Sequence, residues 1–171
     1  MRHYTLCYFS ATAMEISSLS QGVDHFRKND GKVTIYARTQ TQLFDNSRQN
    51  RFVEQALCAD IVIVTLHGGK NSFPAFDALL EALKAIPEVK RPYLHIQPTA
   101  GDEDSVAAAA EFSPGYPSEA WNRIYAYLCY GGHINYHQLL IYLHNRLFDT
   151  DEPCRPPMEL PHEGIYHPDM P

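Results

Sequence analysis

Seven residues, Asp60 to Leu66 (DIVIVTL), limit the fold of this chain more than any others. A strand that faces water on one side alternates apolar and polar residues, whereas this one is apolar almost throughout. It must be covered on both faces, as the central strands of parallel sheets are. The flanking sequence supplies the covers. Tyr4 to Ser10 is a short aromatic-rich strand, followed by Ile16, Leu19, Val23 and Phe26 on one helical face. Asn29-Asp30-Gly31 turns the chain into a β-branched strand, Lys32 to Ala37, and Ser47 to Ala59 reads as a helix with Phe52, Ala56 and Ala59 inward.

Beyond Leu66 the pattern repeats. Ser72 and Pro74 are start signals for a helix carrying Phe76, Leu79, Leu80, Leu83 and Ile86. Tyr93 to Gln97 is a fourth strand, and a small helix around Ala107 to Ala110 precedes the Pro/Gly loop Ser113 to Pro117. Two helices follow: Glu119 to Tyr130, with Trp121, Ile124, Tyr125 and Leu128 aligned, and Asn135 to Phe148, with Leu139, Leu140, Leu143 and Leu147 aligned. Strands alternating with helices build right-handed βαβ units and hence an open parallel sheet with helices on both faces. The expected class is α/β and flavodoxin-like, strand order 2-1-3-4, with an added C-terminal helix pair. Residues 1–148 form that domain, and 149–171 form an extended tail holding six of the chain's 12 prolines.

Composition narrows the function classes. With 171 residues, 44% hydrophobic and 20% charged, the chain suits one globular domain. A net charge of −6 with no basic stripe argues against nucleic acid as a partner, and no apolar run approaches a membrane span. Cys7, Cys58, Cys129 and Cys154 form no C-x-x-C pair, and three of them sit in core-like contexts. They read as reduced structural thiols, which points to the cytoplasm.

In open parallel sheets ligands sit beyond the carboxyl ends of the strands, where strand order reverses. That edge should gather Ser10 to Thr12, Arg38-Thr39, His67-Gly68-Gly69 and Gln97-Pro98-Thr99. The loop after the first strand contains no glycine, which argues against a flavin phosphate. Gly68-Gly69-Lys70 lacks the P-loop's upstream glycine (Ile63 stands there) and its following Ser or Thr (Asn71), which argues against nucleotide hydrolysis. The two glycines suit either a plain tight turn or close approach to a large ligand. His133, His137 and His144 fall within roughly 40° of one another on a helical wheel. No acidic residue completes a metal set, so they read as border histidines of a packed helix.

Three stretches together carry a more specific message: Leu66-His67-Gly68-Gly69, then Tyr130-Gly131-Gly132-His133-Ile134-Asn135-Tyr136 continuing to Leu143, and finally Glu163-Gly164-Ile165-Tyr166-His167-Pro168-Asp169. In this order they resemble the N-terminal region of the large cobaltochelatase subunit, the CobN family, relatives of the large magnesium-chelatase subunit. The resemblance implies a part of an ATP-dependent ligase that inserts Co²⁺ or Mg²⁺, as substrate, into a tetrapyrrole in cobalamin or chlorophyll synthesis. The ring would be hydrogenobyrinic acid a,c-diamide or a porphyrin. ATP would be handled by separate AAA+ subunits, consistent with the missing P-loop.

No catalytic residue and no resident metal site carries over from the resemblance. His67, Asn135, Tyr166 and His167 match motif positions and are candidates for contacting the ring or the rest of the large subunit. With them stand Ser10, Thr12, Gly68, Gly69, Gln97, Thr99, Gly131 and Gly132 as the wider candidate set. The expected role is macrocycle enclosure or subunit docking, with the reading frame continuing past Pro171. The alternatives are a self-contained tetrapyrrole- or metal-binding module without catalysis, and a small flavodoxin-like enzyme on an unrelated substrate.

Overall fold

The structure, a computed structural model, describes residues 1–159. Its strands are β1 (His3–Ser10), β2 (Lys32–Thr39), β3 (Ile61–Thr65) and β4 (Tyr93–Gln97), all parallel in the order β2-β1-β3-β4. The expected order is the observed one. Six α-helices surround the sheet: α1 (Ala13–Lys28), α2 (Asn46–Leu57), α3 (Phe76–Lys84), α4 (Glu103–Phe112), α5 (Glu119–Tyr130) and α6 (Gly132–Phe148). None is long and apolar enough to cross a membrane.

The two central strands divide their side chains between two cores. Cys7 and Phe9 of β1 join Val62 and Val64 of β3 under α2, α3 and α4, where Phe52, Phe73, Phe76 and Leu79 pack. Tyr4, Leu6 and Tyr8 join Ile61 and Ile63 on the other face, under Leu19 and Phe26 of α1, Ile124 and Tyr127 of α5, and Leu139 and Leu140 of α6. Successive strand residues point to opposite faces, so a continuous apolar run fills both cores at once.

Four details depart from the periodicity. On α5, Tyr127 is buried and Tyr125 is 39% exposed, because the helix turns its Tyr127 edge toward the strap described below. Helix α3 is capped at Ala75, and Ser72 lies in a preceding 3₁₀ turn where its hydroxyl donates to the Gly69 carbonyl at 2.8 Å. Of the four cysteines only Cys7 is buried; Cys58 caps α2 and Cys129 ends α5, both facing outward, and Cys154 is half-buried. The core-like context of those thiols was a property of their neighbours in sequence, not of the sulfurs. The histidines of α6 also differ from one another. His133 is exposed, His137 stacks on His25 at 4.5 Å, and His144 is buried, accepting the Arg2 amide at 3.1 Å.

Helix α6 runs antiparallel to β1, which fixes which of its ends meets which sheet edge. Tyr136 meets Tyr8 (hydroxyls 3.0 Å apart), the Leu140 carbonyl accepts from Tyr4 at 3.0 Å, and His144 meets Arg2. The Gly131-Gly132 junction that starts α6 therefore lies toward the carboxyl edge. Residues 149–159 then run back along α6 without helix or strand. Asn145 pairs with both backbone groups of Glu152 (2.8 and 3.0 Å), Gln138 accepts the Arg155 amide (2.7 Å), and Asn135 pairs with both backbone groups of Met158 (2.8 and 2.9 Å). Each amide side chain stands in for a neighbouring strand, satisfying backbone that would otherwise lack partners.

Two predictions test this packing. Gly22 lets α1 approach α6 closely: a Cβ there would sit 2.8 Å from Tyr136 Cβ and 3.0 Å from the His137 amide nitrogen. Gly22→Ala should lower stability in urea unfolding by about 1–3 kcal/mol despite the better helix propensity of alanine. A stabilised variant would show that the helices do not meet there.

The second prediction concerns His95, which is fully buried on β4, stacked on Trp121 at 4.8 Å, with both ring nitrogens unpartnered. Burial pulls its pKa down from 6.5 to about 3. The unfolded chain binds the proton first, so this group costs stability as pH falls below 6.5 toward 3. Between pH 7 and 5 the loss should reach about 2 kcal/mol, and His95→Phe should remove it. Equal acid sensitivity of wild type and variant in thermal melts would refute the assignment.

Candidate functional site

At the carboxyl edge, β1 and β3 end in polar residues placed by register: Ser10 lies beside Thr65, and Thr65 beside Gln97. The Ser10 and Thr65 side chains converge on Glu15, in the first turn of α1. Its Oε2 lies within hydrogen-bonding reach of the hydroxyls of Ser10 (2.5 Å), Thr65 (2.9 Å) and Tyr8 (3.1 Å). Its Oε1 lies 2.6 Å from Nε2 of His67. A carboxylate only accepts, so the His67 proton sits on Nε2 and the Nδ1 lone pair is left for solvent or a ligand. His67 keeps 47% of its side chain exposed, against 20% for Glu15.

The cluster extends inward. Tyr136 lies 3.0 Å from the Tyr8 hydroxyl, which places α6 behind the site. Burial, with the neighbouring Tyr136 and Glu15 charges adding to it, holds the Tyr8 hydroxyl well above its ordinary pKa, and burial does the same for Tyr136. Both phenols are therefore neutral donors at any physiological pH. The arrangement is an ionisable carboxylate clamped by hydroxyls that in turn orients one exposed imidazole. Such a pair can accept a proton or supply a nitrogen ligand to a passing cation.

The sequence-derived candidates separate into those that face this cluster and those that build its walls. Ser10 and His67 belong to it. Thr12 is exposed; its amide donates to Ser10 Oγ (3.0 Å), so it shapes the start of α1. Gly68 and Gly69 both adopt positive φ (108° and 78°). Their loop is locked to the one after β4: the Gly69 amide donates to Thr99 Oγ1 (3.0 Å), which donates to the Leu66 carbonyl (2.7 Å), and the Lys70 amide donates to Asp102 (2.9 Å). The Gly69 and Lys70 amides are thus engaged within the protein, and Thr99 acts as a brace. The Ser105 hydroxyl and the Lys70 amide hold Asp102 below the usual carboxylate range.

Gln97 is buried, its amide nitrogen 3.5 Å from Cys129 Sγ and its oxygen unpartnered, which brings the end of α5 to the same edge. Gly131 and Gly132 take positive φ (58° and 73°) at the α5–α6 junction. Asn135, beside them, uses its amide on the Gly131 carbonyl (2.8 Å) and on Met158, so it fastens the strap. Tyr166 and His167 lie outside the described residues. Among the described residues no three His, Cys, Asp or Glu groups are grouped as metal ligands.

Glu15, Tyr8, Thr65 and Tyr136 escape a reading of the sequence by elements. Tyr8 and Tyr136 look like core aromatics and Thr65 like strand filler. The available signal was Glu15 itself, an acid in the first turn of a helix that directly follows a strand ending at the ligand edge. Glu15→Ala should remove the acceptor shared by Ser10, Thr65 and Tyr8, leaving their hydroxyls to the Thr12 and Phe9 carbonyls and the Tyr136 hydroxyl, and cost about 1–2 kcal/mol in urea unfolding. His67→Ala, at the exposed end of the same contact, should cost under about 1 kcal/mol. The reverse ranking would make His67 a structural residue and dissolve the site.

Comparison with known proteins follows the same edge. The CobN/magnesium chelatase family model matches residues 125–171, from the last turns of α5 through α6 and the strap. No curated protein matches the chain in sequence. Among solved structures the fold is similar to the catalytic subunit of cobaltochelatase from Mycobacterium tuberculosis. The likeness has a TM-score of 0.59 at 16% identity over 96% of this chain. The chain spans 12% of that subunit's length. Residues 125–171 thus bear the sequence pattern of the CobN/magnesium chelatase family, carried on an α/β domain with the fold of part of a cobaltochelatase subunit.

Proposed function

We propose that this chain is the N-terminal α/β head of the large subunit of a chelatase, one that inserts cobalt or magnesium into a tetrapyrrole with ATP hydrolysed by partner subunits. The observation that carries this reading is one of position. The family-matched segment begins on α5 and folds so that Cys129, Gly131-Gly132 and Tyr136 stand at the carboxyl edge with Gln97, Ser10 and the Glu15–His67 pair. Family sequence and ligand edge coincide.

Metal insertion asks for what this edge holds. Two pyrrole N–H protons must leave while the metal ion exchanges water for ring nitrogens, so bases and weak ligands are needed near one ring face. His67 Nδ1, oriented by Glu15, supplies one such group, and the loops around Gly68 and Gly131 supply the floor. On this reading the head closes one side of the ring, and the remainder of the large subunit closes the other. The choice between cobalt and magnesium belongs to that remainder.

The test is a titration of the purified chain with a water-soluble porphyrin or corrin, following the visible absorption band. A saturable band shift is expected, weakened about 5- to 10-fold, roughly 1 kcal/mol or slightly more, by His67→Ala. An unshifted band at saturating protein would overturn ring contact by this head. A shift of equal affinity in His67→Ala would move the contact away from Glu15–His67.

A further inference from the structure

A second feature of the same sheet edge is not used by the Glu15–His67 cluster. Arg38, Arg48 and Arg51 line a groove of about 330 Å³ between the end of β2 and the start of α2, with Asp45 and Phe52 among its other walls. Three guanidinium groups converge here in a chain whose net charge is −6. One acid stands among them, and it is engaged. Asp45 Oδ1 accepts the Arg48 amide at 2.8 Å as the cap of α2, and its Oδ2 lies 3.2 Å from Arg48 Nε. Arg48 is further fixed over the face of Phe44, 4.7 Å from the ring centroid, and Phe44 is 71% exposed. Arg51 has no ion pair among the described residues, and Arg38 spends one N–H on the Ala37 carbonyl at 2.7 Å.

The groove therefore carries uncompensated positive charge in an ordered setting. Guanidinium forks match carboxylates two bonds at a time, and several separate forks suit several separate carboxylates better than one compact anion. The exposed Phe44 ring adds an apolar face beside them. Register places the groove: Arg38 pairs with Phe9, which faces α2, and Thr39 with Ser10, which faces α1. The groove and the Glu15–His67 cluster therefore lie on opposite faces of neighbouring strands at the carboxyl edge, and a ligand that reaches both straddles that edge.

We propose that Arg38, Arg48 and Arg51 form a carboxylate-binding groove that holds acidic side arms of the macrocycle whose ring lies at the Glu15–His67 edge. The occupant's identity rests on the functional reading above; the carboxylate preference rests on the groove alone. The groove sets orientation: a ring with acidic arms on one side is turned so that those arms face β2 and α2.

Two probes separate the parts of this proposal. The polycarboxylate uroporphyrin tests the ring with its arms, and tricarballylate tests the groove without a ring. Wild-type protein should bind both, with affinity falling as salt is raised through the range where the Debye length shrinks below about 10 Å. Arg51→Gln should weaken both about 10-fold with an unchanged melting temperature, and Arg51→Lys should restore part of the loss. Equal affinities in wild type, Arg51→Gln and Arg38→Gln, or no binding of tricarballylate, would overturn the groove. Tricarballylate bound in an Arg51-dependent way without uroporphyrin binding would instead overturn the macrocycle as its occupant.

Discussion

Everything in this domain depends on β1 and β3 being covered on both faces. A strand buried on both sides has nowhere along its length to put a polar side chain. Polarity is therefore pushed to the strand ends, where Ser10, Thr65 and Gln97 align because the register makes them neighbours. The cluster at the carboxyl edge is thus a consequence of the apolar core. Glu15 then has to be where it is: the polar strand ends supply hydroxyl donors, and the first turn of α1 supplies the carboxylate that takes them. His67 is the most exposed member of that set, with 47% of its side chain open to solvent against 20% for Glu15.

The two candidate surfaces at this edge differ in how they obtain order. The Glu15–His67 pair is fixed from beneath, by three hydroxyls that share the Glu15 carboxylate. In the arginine groove Arg48 is fixed from the side, by Asp45 and the Phe44 ring. The first arrangement suits a group that must be aimed at one atom. The second suits groups that must meet flexible arms arriving in several poses.

Elements were legible in the sequence wherever local pattern decides structure. The bounds of β4 and α5 coincide with their periodicity, and the strand order is the flavodoxin-like one expected of alternating strands and helices. Side-chain fates were less legible where tertiary packing decides. The rotation of α5 buries Tyr127 in place of Tyr125, because the strap on its far side gives Tyr127 the carbonyl of Arg155 to bond. Asn135, a motif position read as a contact to the ring or to the rest of the large subunit, fastens the backbone of Met158, a bond the motif does not reveal. Conversely, Glu15 looks like one acid of an amphipathic helix, and only its three-dimensional neighbours mark it. Convergence of residues far apart in the chain leaves no trace in any local window.

The strap along α6 has a mechanical meaning. Its three amide fasteners, Asn145, Gln138 and Asn135, follow one another toward the Gly131-Gly132 junction, and the described chain leaves from the last of them. A pull on the chain beyond Glu159 does not load these contacts together. It peels them in sequence, and the first to yield is Asn135, which precedes Tyr136 and whose amide also holds the Gly131 carbonyl. Force arriving from that direction therefore reaches the Gly131-Gly132 junction, at the carboxyl edge, before it reaches the far end of α6.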